Sequence, residues 1–325
     1  MNNEINYTVA IRTLGRAGDK YQQLLNSLSK QTICPSAINV YIAEGYPIPK
    51  ETIQIERYIY VKKGMVAQRA LSFDEIGTEY ILFLDDDVYL PQDGVEKLFS
   101  ALLSEKADVI SPDVFPNAER SFWGRVLMTA SGRMVARKDD GEWAYKVMNN
   151  AGYSYNLKPS KDVYLSQTNA GPCFLCKKRD MLSIHFEDEL WLDNMPYAMG
   201  EDEVMFYKMY MNGLKILTLF NSGIIHLDAG STLNSYEVEK TRIYCDFRFK
   251  TIFWHRFIYS PEKNSFKKFM SVISIVYTFL FSFLISFLKC RFSIIKIKII
   301  AVQNARKFIN SSQYRSLPSI TDINI

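Results

Sequence analysis

Three things are missing or scarce in this chain of 325 residues: a disulfide framework, an apolar leader, and acidic residues near the C-terminus. The five cysteines are odd in number and scattered, which excludes a disulfide-stapled scaffold and fits a reducing cytosol. Cys173 and Cys176 have the spacing of half a zinc site, but no second pair accompanies them and their segment is apolar, so core packing is expected. The opening Met1-Asn2-Asn3-Glu4 is polar and the first apolar run, Thr8-Val9-Ala10-Ile11, is too short for a signal core, so no secretory leader is expected. From Lys240 onward only Asp246, Glu262 and Asp322 face 15 Lys and Arg, whereas the preceding residues hold 24 basic and 32 acidic ones. An acidic body speaks against a nucleic-acid partner, and a basic, apolar tail speaks for an anionic membrane surface. Neither an internal repeat nor a low-complexity block is visible.

What is present begins with length and apolar content. A chain of this size, with 48% hydrophobic and 14% aromatic residues, can bury a large core or two ordinary ones. The first hundred residues alternate in character. Residues 8–11 read as a strand, and Tyr21, Leu24, Leu25 and Leu28 fall at helical spacing. Residues 38–42 read as a second strand, residues 66–76 as a helical stretch, and residues 80–84 as a buried strand. Val95, Leu98, Phe99 and Leu102 mark a further helix before a strand at 108–110. This β-α-β-α-β order predicts an α/β fold with a mostly parallel sheet, flanking helices and right-handed crossovers. Residues 112–166 look irregular and rich in aromatics, with Trp123, Trp143, Tyr145, Tyr153, Tyr155 and Tyr164 suited to stacking on sugar rings, to gripping an apolar acceptor or to ordinary partial burial. Regular structure is expected again at 171–176, in a helix at 201–212 ended by Gly213, and in strands at 215–220 and 224–226.

The carboxylates Asp85-Asp86-Asp87 close the apolar run Tyr80-Ile81-Leu82-Phe83-Leu84. Ligands bind at the carboxyl edge of an open α/β sheet, and packed carboxylates repel unless something cationic shares their site. A hard divalent cation holding a phosphorylated substrate is the simplest candidate, and a solvated acidic turn is the plain alternative.

Several ordered motifs together resemble the inverting glycosyltransferases of family 2, with the GT-A (Rossmann-like) fold, over roughly residues 6–256. They are Val9-Ala10-Ile11-Arg12-Thr13, then Gln31-Thr32, Lys63-Gly64 through Gln68-Arg69-Ala70, the DXD-like Asp85-Asp86-Asp87, Gly200-Glu201-Asp202 with Lys208 and Gly213, and Ile225-His226-Leu227-Asp228. The resemblance implies that Asp202 is the general base, with Glu201 facing the acceptor or steadying it. It implies Mn²⁺ or Mg²⁺ bound by Asp87 and His226, with Asp85 at the ribose or in the metal's water shell. Thr13, Glu44, Arg69, Asp85 and Asp86 are the implied nucleotide-sugar contacts, with the Arg69 guanidinium suited to a diphosphate. The chain departs from the pattern at Ile42-Ala43-Glu44-Gly45, where an aspartate pair is usual, at Ala70 for Asn and at Lys208 for Arg. These departures leave the nucleotide's identity open.

The expected organisation is a GT-A domain at 1–260, its donor half 1–111 and acceptor half 112–260, and a membrane-associated tail at 261–325. Residues 269–288 carry no charge and would make a helix of roughly 30 Å. Basic residues flank both ends, so the segment is expected to be embedded but need not cross fully, bending back or lying obliquely. Its Ser271, Ser274, Thr278, Ser282 and Ser286 stripe would then face protein, and deletion after Lys263 would leave a soluble, nucleotide-binding domain. The implied activity is transfer of a sugar from a nucleotide-sugar donor to a lipid-linked or surface-polysaccharide acceptor at the cytoplasmic face of the cell membrane. A sugar nucleotidyltransferase is the alternative, although Arg12-Thr13-Leu14-Gly15-Arg16 is a poor version of its Gly-rich loop. A catalytically idle nucleotide-sugar-binding scaffold is the other.

Overall fold

The computed structural model describes residues 5–114, 121–139, 141–227 and 235–320. Its first half runs β1 (Tyr7–Thr13), α1 (Asp19–Leu28), β2 (Ala37–Ala43), β3 (Glu56–Val61), β4 (Tyr80–Asp85), β5 (Val88–Tyr89), α2 (Gly94–Ser104) and β6 (Val109–Pro112). There follow α3 (Phe122–Ala130), β7 (Met134–Arg137), β8 (Trp143–Val147), β9 (Tyr153–Asn156) and β10 (Val163–Ser166). The chain then returns through β11 (Cys173–Lys177), α4 (Lys178–Ser183), α5 (Glu201–Met211), β12 (Ile216–Leu219) and β13 (Ile225–His226). It ends in α6 (Tyr236–Phe253), α7 (Ser265–Leu288), α8 (Phe292–Ile309) and the single turn α9 (Ser312–Arg315).

One large sheet has the order β3-β2-β1-β4-β11-β6-β12-β10-β8-β9-β7, and β13 pairs with β5 in a small second sheet. β3, β2, β1 and β4 run parallel. β11 is inserted antiparallel between β4 and β6, which is parallel to β12. The expected mostly parallel sheet with flanking helices is therefore present, with β11 reversed near its centre and the neighbouring pair β10 and β8 reversed nearer its far edge, since β10 is antiparallel to β12 and β8 to β9. The central strands are buried along nearly their whole length, and successive residues alternate between two core clusters, as a pleat covered on both faces requires. Val9, Ile11, Leu82 and Leu84 pack towards α1 and α2, whereas Ala10, Ile81 and Phe83 face the opposite cluster with Phe174 and Phe206. Phe83 and Phe174 stack there at 4.5 Å. Burying side chains of this size contributes about 1.5–3 kcal/mol each before entropy is counted.

Two expectations need correction. Residues 66–76 form turns rather than a helix. The Asp193 carboxylate accepts from the backbone N of Val66 and of Ala67, both at 3.0 Å, and so holds this segment by a distant residue rather than by helical periodicity. Residues 112–166 are also more regular than their sequence suggests, since α3 and β7 to β10 lie within them. These strands have only four or five residues each, too short for periodicity to show.

The boundary near residue 260 is not a break in packing. α8 lies along α6, Ala305 and Ile320 belong to the same core cluster as Trp191 and Phe257, and Phe308 packs on Trp191 at 5.5 Å. Beneath them Glu189 accepts from Lys208 at 3.2 Å and from Arg256 at 2.7 Å, and Arg256 donates on to the Pro318 carbonyl at 3.2 Å. Glu189 and Lys208 are wholly inaccessible, so the cluster is costly to break. α7 turns its Ser271, Thr278, Ser282 and Ser286 stripe inward. Lys298 of α8 donates to the Ser282 carbonyl at 2.8 Å and to the Ser282 and Ser286 hydroxyls at 2.7 Å, and Asn150 reaches Thr278 at 2.7 Å. A chain ending at Lys263 loses this cover from Trp191 and Phe257. Its melting temperature is expected to fall by at least about 10 °C, or the protein to aggregate, in a thermal scan against the full chain. A soluble fragment with an unchanged melting temperature would show the tail to be an appendage after all.

Candidate active site

The site is assembled at the carboxyl edge of β1 and β4, which run parallel with Arg12 beside Asp85. β11 enters this edge from the reverse direction, so that Asp85 N donates to the Pro172 carbonyl at 2.9 Å and brings Gly171 alongside. α5 begins at the same place. Gly200 precedes it with φ 86°, and a Cβ there would lie 2.1 Å from the Phe249 ring, so only glycine lets α6 close against the helix start.

Beyond Asp85 the chain turns through Asp86 and Asp87 into β5, whose pairing with β13 sets His226 opposite Val88. Leu227 N donates to the Asp87 carbonyl at 2.8 Å, and His226 Nε2 lies 2.9 Å from Asp87 Oδ1. Asp85, Asp87 and His226 each place a ligand atom within 4.8 Å of the others. Two carboxylates and an imidazole make a donor set that fits Mn²⁺ naturally and Mg²⁺ through its oxygens. Asp86 points elsewhere. Its carboxylate accepts from the Thr13 hydroxyl, which in turn accepts from Gly15 N at 2.8 Å. Burial pushes Asp86 up to about 6, against the pull of the Thr13 hydrogen bond. Asp228 lies outside the described residues.

Beside this group lies a buried ionic network. Arg12 grips Asp85 with two prongs, through Nε to Oδ1 and through Nη2 to Oδ2 at 3.0 Å, and its Nη1 reaches Glu201 at 2.7 Å. Arg69 Nη1 donates to both Glu201 oxygens at 2.8 Å and to Asp202 Oδ1 at 2.5 Å, while Nη2 donates to the Gly171 carbonyl. Arg69, expected to meet the donor diphosphate, is therefore turned inward, with a side chain 3% exposed. Asp202 is 33% exposed, against 5% for Glu201. It is the reachable member of the pair. Burial would raise Asp202, but Arg69 and Arg12 outweigh it and hold the carboxyl below its ordinary range. Glu201 is pushed up to about 7, because burial there exceeds the pull of the same two arginines.

Glu44 is exposed in the turn after β2, and its own backbone N donates to the Val61 carbonyl at 2.8 Å. Near it Tyr46 is flanked by Arg16 at 4.8 Å and Lys63 at 4.9 Å from the ring centre. The sequence reading passed over Arg12 as a functional group, although a charge closing an apolar strand beside Thr13 was a usable signal. It also passed over Gly171 and Asp193, for which no local pattern exists.

Two outcomes follow from this geometry. A Cβ on Gly171 would lie 1.9 Å from Asp202 Oδ1 and 2.6 Å from Arg69 Nη1. Gly171→Ala is therefore expected to reduce activity at least about 100-fold by displacing Asp202, with the circular dichroism spectrum retained. Near-normal turnover in that variant would place Asp202 outside the chemistry. Glu203, the next residue of α5, is pushed up to about 7 by burial, against the pull of Lys250, and its Oε1 has no hydrogen-bond partner among the described residues. A carboxyl raised in the folded state costs stability as pH rises from its ordinary range through the raised value. Glu203→Gln should accordingly melt a few degrees above the parent at about pH 8 and no higher at about pH 4, and an equal gap at both values would refute the assignment.

Residues 22–174 match the family model described as glycosyl transferase family 2. Among solved structures, the chain is similar to GalNAc-T7 with UDP, GalNAc and Mn²⁺ at 12% identity, covering 86% of this chain and 56% of that one, with a TM-score of 0.47. It is also similar to S. aureus TarS at 13% identity, covering 83% of this chain and 43% of that one, with a TM-score of 0.46. The chain thus spans about half the length of these structures. Among curated proteins no relative matches. The family match includes Arg69 and the three aspartates, whereas Glu201, Asp202 and His226 lie beyond it. Within those bounds the chain carries a glycosyltransferase domain of family 2.

Proposed function

We propose that the protein is a metal-dependent, inverting glycosyltransferase that moves a sugar from a nucleotide-sugar donor to a hydroxyl of a lipid-linked or surface-polysaccharide acceptor. The observation that carries this reading is one accessible, ionised carboxylate, Asp202, on the same sheet edge as Asp85, Asp87 and His226. A divalent cation held by Asp87 and His226 would supply Lewis-acid neutralisation of the departing diphosphate. Asp85, gripped by Arg12, would meet the ribose or the metal's water shell. Thr13 and Asp86 lie at the end of β1, where the donor nucleoside would enter. Glu44, exposed just after β2, would read the base.

Asp202 then receives the acceptor's hydroxyl proton as the oxygen's electron pair forms the new bond to the anomeric carbon. The bond from that carbon to the phosphate oxygen breaks, and the diphosphate leaves with its electrons. One base and one in-line displacement invert the anomeric centre. Glu201 stays buried and braces the guanidiniums that keep Asp202 charged.

The acceptor assignment draws on the tail. α7 has 24 residues, 18 of them in a stretch with a mean hydropathy of 2.2, and is, among the described residues, the one helix long and apolar enough to cross a membrane. A lipid-carried acceptor would bring its hydroxyl to such a surface, and a charged nucleotide sugar would approach from the cytoplasmic side.

Asp202→Asn is expected to lower transfer by roughly 10²–10⁴-fold while donor and Mn²⁺ affinity, measured by calorimetry, stay nearly unchanged. Chelation should abolish the parent's activity and added Mn²⁺ restore it. Release of inorganic diphosphate with formation of a new nucleotide sugar would point to nucleotidyl transfer and sink the proposal.

A further inference from the structure

Two helices of this protein present their faces the wrong way round for water. A helix packed on a soluble body buries its apolar side, but α7 buries Ser271, Thr278, Ser282 and Ser286 with only Ile275 among its apolar residues, and leaves Phe269, Ile273, Val276, Leu280, Leu284 and Phe287 exposed. α3 is more extreme. None of its nine residues is buried, and Phe122, Trp123, Val126 and Leu127 are 62%, 76%, 43% and 38% exposed. Their spacing puts all four on one side of the helix. The two elements adjoin, because the hydroxyl of Tyr277, itself on the outward side of α7, donates to the Ala130 carbonyl at the end of α3 at 2.8 Å.

Charge indicates what covers this surface. No acidic residue occurs between Glu262 and Asp322. Lys267 lies in the first turn of α7, Lys289 follows its end with Arg291, which is paired with Glu239 of α6, Lys296 is exposed on α8, and Arg125 lies on α3. An apolar strip rimmed by cations matches the boundary between acyl chains and anionic headgroups, where tryptophan is also favoured. The inner side of α7 is fastened over its second half, from Thr278 to Ser286, by Asn150 and Lys298. A helix crossing the bilayer would have to break those bonds or drag their polar donors into hydrocarbon.

We propose that α3 and α7 form a single in-plane docking surface for an anionic bilayer, with Phe122 and Trp123 inserted beside α7. The proposal rests on the membrane-acceptor reading above and adds a second inserted element to it. The full chain, diluted from detergent, should float with phosphatidylcholine vesicles that contain phosphatidylglycerol and far less with phosphatidylcholine alone. High salt should weaken the binding. Replacing Phe122 and Trp123 together by serine should weaken it at least about 10-fold, with donor hydrolysis in detergent unchanged. Bromine-labelled acyl chains should quench the parent's tryptophan fluorescence, and Trp123→Phe should remove most of that quenching although three other tryptophans remain. If the parent binds but neither α3 variant alters binding or quenching, the inference is wrong while membrane association stands. Salt-resistant binding indifferent to α3 would mean that α7 inserts alone and would overturn the in-plane arrangement. A parent that ignores vesicles and forms a dimer split by the double serine variant would give the face to a second copy and remove the membrane reading itself.

Discussion

Two guanidiniums set beneath three carboxylates are what the catalytic edge depends on. Arg12 binds Asp85 and Glu201, and Arg69 binds Glu201 and Asp202, so Glu201 is shared between the two cations. In such a partly buried setting each close pair is worth about 4 kcal/mol of Coulomb attraction, most of it offset by desolvation. The value of the network is therefore geometric. It ties β1, the turns at 64–70, β4 and α5 to one another, four segments far apart in the chain. It also ranks the carboxylates by exposure, with Asp202 outermost and ionised and Glu201 enclosed.

The reversed strand β11 makes this network possible. A wholly parallel sheet would bring only strand ends to the edge. Because β11 runs the other way, the chain reaches β4 through Gly171 and Pro172, and the Gly171 carbonyl takes the remaining arm of Arg69. The absence of a side chain at 171 is then required, since any Cβ would occupy the space of Asp202.

How far the sequence disclosed this depends on the range of the forces involved. Strands β1, β2 and β4 and helices α1 and α2 were legible because each buries a continuous periodic face, so the pattern lies within ten residues. Asp85, Asp87 and His226 were legible as chemical types that need a cation, and the structure gathers them together. The turns at 66–76 were misread as helical because Asp193, more than a hundred residues later, supplies the hydrogen bonds that fix their start. Gly171 was missed for the same reason, since it is defined by partners brought to it only by the completed sheet, whereas Arg12 did carry a local signal, a charge at the end of an apolar strand. The tail was read correctly as apolar and basic. Its burial against α6 was not visible, because Ala301 and Ala305 make the contact through smallness rather than through a recognisable stripe.

That contact bears on what the tail is for. α6 is held between α8 on one side and α5 on the other, where the Phe249 ring rests against Gly200 at the start of the helix that carries Glu201 and Asp202. α8 in turn holds α7 through Lys298. The path from the outward face of α7 to the carboxylate at the sheet edge is thus made of packed helices rather than a linker. Close-packed interiors deform little, so the outward face of α7 and Asp202 keep a fixed relation to one another. On the membrane reading proposed above, a flexible tether would anchor the enzyme equally well but would let the site tumble relative to its anchor. On that same reading a packed one fixes the direction in which Asp202 opens, which would matter for an acceptor whose hydroxyl is confined to one plane.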